Sequence, residues 1–99
     1  MPEKMAAIGV LTLELRIESS HSLKEKRHVV QSLKDRLRHK FNVSVAEIAN
    51  QDLWQRATVA AVTVSSDREN AEKVLRSVEE ETVDMVGPAL VEATVEWIE

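Results

Sequence analysis

Seven Lys and Arg against two acids fall within residues 22 to 41, and their spacing is the most chemically suggestive feature of the chain. On a helix of about 100° per residue, Arg27, Gln31, Lys34 and Arg38 line up along one flank of an apolar stripe, while Arg36 and Lys40 fall on the other. Lys26 projects close to the stripe itself. Lys24, Lys26, Arg27 and His28 crowd the first two turns, where the helix dipole favours acids by ~0.3 to 1 kcal/mol each. Local rules are most often broken where function requires it. Free amides at the helix start, the hydroxyls of Ser19, Ser20 and Ser22, and the cations nearby suit a phosphate, of RNA or of a small ligand. The plainer reading is a basic helix whose charges offset an acidic second one.

Other reactive side chains argue against an enzyme. The only glycines are Gly9 and Gly87, so no glycine-rich phosphate loop exists. Cysteine is absent, which excludes disulfides, thiol catalysis and the paired-cysteine metal site of some small α+β domains. His28 and His39 lie eleven residues apart, roughly 16 Å along a helix and too far to share a metal, so no metal and no cofactor are expected. Glu25 with His28 and Asp35 with His39 make surface pairs at helical spacing. Glu47 and Asp52 have no neighbour that would separate their pKa values into an acid and a base.

The elements that must carry these residues are legible. Residues 7 to 18 alternate Leu11, Leu13, Leu15 and Ile17 with polar residues, a half-buried strand. Ser22 opens the capping box S-L-K-E, in which Glu25 reaches back to the Ser22 amide, and a helix follows from about 23 to 40 on Leu23, Val30, Leu33, Leu37 and Phe41. Val43 to Ile48 make a second strand and residues 57 to 66 a third. A second box, beginning at Ser66, starts a helix with Ala71, Val74, Leu75, Val78 and Met85 on one face, closed by Gly87 and Pro88. The last strand, 90 to 98, alternates Val91, Ala93, Val95 and Trp97 with Glu92, Thr94 and Glu96. The order βαββαβ predicts an α+β, ferredoxin-like split-βαβ domain over residues 1 to 99, an antiparallel four-stranded sheet with two helices on one face.

Base stacking by the usual RNA-recognition route fails, because the central strands carry no aromatic residue. Phe41 and Trp97 read as core. Trp54, in the polar connection N-Q-D-L-W-Q-R, reads either as a loop anchor over the sheet edge or as a partner contact.

Composition narrows the setting. Ninety-nine residues with 43% hydrophobic and 30% charged side chains fit one globular domain with a small core. No apolar run approaches the ~18 residues of a membrane span, so a cytoplasmic location is expected. The net charge of −4 divides into +3 over residues 1 to 49 and −7 over residues 50 to 99, which argues against indiscriminate nucleic-acid binding and leaves room for a local basic patch.

The run SLKEKRHVVQSLKDRLRHKFNVSVAEI, with the later QDLWQRA and TVAAVTVSSD, resembles the YlxP-like family of small bacterial proteins of unknown function. The resemblance covers nearly the whole chain and implies a ferredoxin-like fold with no established activity. Genes of that family often sit near those for translation initiation factor two and ribosome-binding factor A, which implies ribosome assembly or translation. Together these observations predict a noncatalytic binding protein for ribosomal RNA or a ribosome-associated protein. Lys24, Lys26, Arg27, Lys34 and Arg38 meet phosphates in that reading, and Ser22, Asn42, Ser44, Glu47 and Trp54 support the site. The alternative is a structural or regulatory homodimer that binds a small ligand through an open sheet face of Ile8, Val10, Thr12, Val59 and Ala61.

Overall fold

Leu11, Leu13, Leu15 and Ile17 point one way from the first strand, and their burial decides which side of the sheet the helices cover. The computed structural model describes residues 6–98. In chain order these form β1 (Ala7–Arg16), α1 (Leu23–Lys40), β2 (Ser44–Ala49), β3 (Arg56–Ser65), α2 (Arg68–Val86) and β4 (Leu90–Ile98), with a single 3-10 turn, Gly87–Ala89, before β4. The sheet order is β2-β3-β1-β4 and every neighbouring pair is antiparallel. Each helix therefore connects two strands that run the same way but are separated by a third. This is the ferredoxin-like arrangement.

The core lies between one sheet face and the two helices. Val30, Leu33 and Leu37 of α1 and Leu75 and Val78 of α2 form one cluster with the inward residues of β1 and β3, and Ala71 of α2 is buried as well. Val59 and Ala61, expected on the open face, are instead fully buried. Leu13 lies opposite Val59 and Leu11 opposite Ala61, and directly opposed residues share a face, so β3 inherits its parity from β1. The outward residues of β3 are Thr58, Ala60, Val62 and Val64. Val91 and Val95, expected on the covered face of the last strand, are largely exposed because β4 is an edge strand and its register shifts beside Leu15.

Ser22 caps α1 as expected, with only the reciprocal bond shifted by one residue, whereas the cap of α2 itself lies one residue later than expected. Ser22 Oγ accepts the Glu25 amide at 3.1 Å, but the Glu25 carboxylate takes the amide of His21, at 2.7 Å, rather than that of Ser22. At α2 the cap is Asp67, whose carboxylate accepts the Asn70 amide at 2.7 Å; Ser66 is not the cap. Gly87 ends that helix with φ 57°, a left-handed conformation that suits glycine.

Gly9 sits at the closest approach of three elements. It lies opposite Trp97 in the β1–β4 ladder, and a Cβ there would come within 2.7 Å of both Leu75 Cδ1 and the Trp97 ring. The indole fills the space that a side chain on β1 would take, with the Arg68 guanidinium 4.1 Å above it. Gly9→Ala is expected to destabilise by ~1 to 3 kcal/mol through overpacking, read from urea denaturation. An unchanged midpoint would show that the indole moves aside without cost.

Candidate functional site

Lys26 lies near the apolar stripe of α1, and the fold resolves this conflict by burying the whole side chain. The residue is 0% exposed. Its ammonium donates to Glu47 Oε2 at 3.0 Å and to the carbonyls of Asn50 at 2.7 Å, Gln51 at 3.2 Å and Arg56 at 3.2 Å. Four acceptors around one buried cation satisfy its three N–H donors and leave no access for an outside phosphate. Lys26 is thus removed from the phosphate-binding set. Glu47 serves as its counter-charge.

These bonds fix the connection between β2 and β3. Asn50 adopts φ 67°, a left-handed conformation that asparagine tolerates, and its amide donates to Thr58 Oγ1 at 3.0 Å. Gln55 ties the other end: its side-chain amide donates to the carbonyls of Glu18 and Ser20, both at 3.1 Å, and its carbonyl accepts from Ile17 N at 2.8 Å. That last bond carries the β1–β3 register one residue past Arg16, and β1 itself ends at Arg16 rather than at the expected residue 18. Hydrogen bonds, not the indole, anchor this loop, and Trp54 stands 55% exposed upon it.

The cations of α1 divide by flank. Arg36 and Lys40 each donate to the Glu81 carboxylate of α2 at 2.8 Å. Lys40 first and Arg36 second hold the Glu81 carboxyl below the usual carboxylate range. On the other flank Lys24, Arg27 and Arg38 are exposed and Lys34 is half-buried. Arg38 pairs with Asp35 at 3.1 Å, and Asp35 also accepts from Gln31 at 2.8 Å, so it does not pair with His39. Gln31 first and Arg38 second lower the Asp35 pKa. No ion pair among the described residues involves Lys24, Arg27 or Lys34. A folded carboxyl with a lowered pKa binds its proton less readily than the unfolded one. The stability Asp35 and Glu81 contribute is therefore present above the ordinary carboxylate pKa and lost as pH falls through the lowered value.

The remaining expected residues hold local structure or stand apart. Ser22 caps α1, and the Ser20 hydroxyl is buried and donates to the Ser22 carbonyl at 3.0 Å. Asn42 donates to the Val64 carbonyl at 3.3 Å, and Ser44 is exposed at the start of β2. The three histidines are exposed, and among the described residues no three His, Asp or Glu gather to hold a metal ion. One feature was not visible in the sequence: Arg16 and Arg56 lie directly opposite each other where β1 and β3 meet the Trp54 loop. Only the register brings them together.

Residues 8–94 match the family described as a protein of unknown function, DUF503. The chain belongs to this family. It is 45% identical over 71 residues to the uncharacterized protein YlxP of Bacillus subtilis (strain 168), a match that spans 72% of this chain and 77% of that protein. Among solved structures, the de novo designed protein Foldit4 aligns with a TM-score of 0.58 at 11% identity, covering 96% of this chain and 98% of its own. The C-terminal segment of the alpha subunit of aIF2 from Pyrococcus abyssi aligns at 0.50 and 20% identity, covering 94% of this chain and 50% of that one. The designed ferredoxin-fold protein LFR1 1 aligns at 0.50 and 14% identity, covering 95% of this chain and 84% of that one. At these identities the structural likenesses show the DUF503 fold and nothing of its chemistry.

Removing one partner of a buried ion pair leaves the other uncompensated, at a cost of ~3 to 5 kcal/mol. Lys26→Met is expected to destabilise by that amount in chemical denaturation. The double variant Lys26→Met/Glu47→Leu should recover only part of the loss, because the carbonyls of Asn50, Gln51 and Arg56 still lack their donor. A loss below ~1 kcal/mol for the single variant would show that the loop is held by its other bonds.

Proposed function

We propose that the protein is a noncatalytic binding protein that engages ribosomal RNA through the outer flank of α1. The observation that carries this reading is the unequal neutralisation of the helix: Glu81 covers Arg36 and Lys40, while Lys24, Arg27 and Lys34 have no ion-pair partner among the described residues. Arg38 shares its charge with one exposed carboxylate of its own helix. The result is a cationic stripe on a chain of net charge −4, a local field that attracts phosphates without making the whole surface basic. With Lys26 internal, the phosphate contacts are Lys24, Arg27, Lys34 and Arg38, and Asn42 and Ser44 add hydrogen bonds from the turn into β2. The ribosomal partner rests on the gene neighbourhood that the family resemblance implies, and so does a cytoplasmic site of action.

Filter binding to ribosomal RNA across a salt series tests the proposal. Each phosphate contact should contribute about one unit to the slope of log K against log salt. Arg27→Glu/Lys34→Glu/Arg38→Glu should lose RNA binding while keeping the circular dichroism and cooperative unfolding of the parent. Equal binding by the folded triple variant would remove this flank from the site.

A second reading, a structural or regulatory homodimer, is favoured by the open sheet face. Val62, Val64 and Ile98 are 36%, 52% and 54% exposed there, beside Ile8 and Val10. Light scattering at micromolar concentration would report a mass of two chains in that case; a strict monomer excludes it.

A further inference from the structure

Arg16 and Arg56 occupy the last rung of the β1–β3 ladder, and both are exposed. Buried Leu15 and Ala57 precede and follow them respectively, so strand alternation turns both guanidinium groups toward the open face of the sheet. Opposed residues in an antiparallel pair have Cα atoms about 4.5 to 5.5 Å apart, and like charges so placed repel. No ion pair among the described residues reaches either one. Two rungs in, on the same face, Glu14 accepts from Thr58 Oγ1 at 2.7 Å and lies opposite Glu92 of β4. An anion seated between the two arginines would relieve their repulsion, and paired guanidinium forks suit the oxygens of a phosphate.

Trp54 precedes Arg56 by two residues, which puts their Cα atoms within about 7 Å of each other. The indole is exposed on a loop already held by Lys26 and Gln55, so little ordering cost remains when a ligand meets it. Two cations without an acid partner among the described residues and a pre-set aromatic face occupy one end of the molecule. Neither is needed by the core.

We propose that Arg16, Arg56 and Trp54 take one nucleotide of an unpaired RNA strand, its phosphate between the two guanidinium groups and its base stacked on the indole. This rests on the RNA reading given above and narrows it to single strands, because a duplex keeps its bases stacked on each other and offers none to an outside ring. The strands themselves carry no aromatic residue on this face, so the stacking surface comes from the loop at their end. The stripe on α1 supplies phosphate contacts that ignore strandedness. The site at Trp54 supplies the preference.

Tryptophan fluorescence tests this directly, since Trp54 is exposed and the other indole, Trp97, is packed against the core. The probes are a short oligouridylate and its duplex with oligoadenylate. The single strand should quench Trp54 emission to saturation, the duplex should bind by filter assay without quenching, and Trp54→Ala should remove the response. Arg16→Gln/Arg56→Gln should weaken single-strand binding by roughly ten- to a hundredfold while leaving duplex binding and the melting temperature intact or higher. Single-strand binding that is unquenched and indifferent to these substitutions, but abolished by the α1 reversals, would overturn this site and leave the α1 interface standing. Failure of both probes to bind the parent protein would overturn both.

Discussion

A single buried ammonium organises one end of this molecule. Lys26 joins the first turns of α1 to Glu47 on β2 and to three carbonyls of the β2–β3 connection, segments that are otherwise far apart in sequence. Desolvating a lysine is unfavourable unless every donor finds an acceptor, and that demand fixes the path of residues 50 to 56. Asn50 then takes its left-handed conformation, Thr58 receives its amide and Glu14 receives the Thr58 hydroxyl. The conformation of an exposed loop is in this way set by a charge in the interior. Trp54 is held out to solvent as a consequence.

A second division follows from how the helices pair. α2 is acidic, yet it meets α1 along one flank only, where Glu81 receives both Arg36 and Lys40. Neutralisation by contact cannot reach the far side of a helix, since ion pairing acts over a few ångströms and bulk screening removes the rest. The same acidic composition that makes the chain negative overall leaves the outer flank of α1 positive.

Much of the fold was legible because its main signals are local. The alternation in β1, the stripe of α1 and the glycine after α2 each specify an element without knowledge of its neighbours. What failed was information held in pairing. The run Thr58 to Val62 is apolar or small on both faces, so only its register with β1 says that Val59 and Ala61 face inward. Ser65, Ser66 and Asp67 are all competent caps, and the backbone chose the last. Lys26 looked like a member of a basic cluster because nothing around it in sequence announces Glu47 and three waiting carbonyls. Arg16 and Arg56 are forty residues apart and become neighbours only when the sheet closes. Candidate site residues on one helix, and the loop indole Trp54, are legible in the sequence; the arginine pair that two strands bring beside that loop is not.

The place of β1 in the sheet has a bearing on how the chain assembles. Of the four described strands it is made first and ends up central, paired on one side with β3 and on the other with β4, where Ile8 meets Ile98. Contacts that span almost the whole chain slow folding, because a long loop must close before they form. Until residues 90 to 98 leave the ribosome, one side of β1 has unpaired amides and carbonyls beside an apolar row, an edge open to any strand that reaches it first. The designs of nature usually blunt such an edge with charge, and here β4 arrives with Glu92 and Glu96 to become the new border. The last strand completes the sheet and replaces an apolar edge on that side with one that carries two carboxylates.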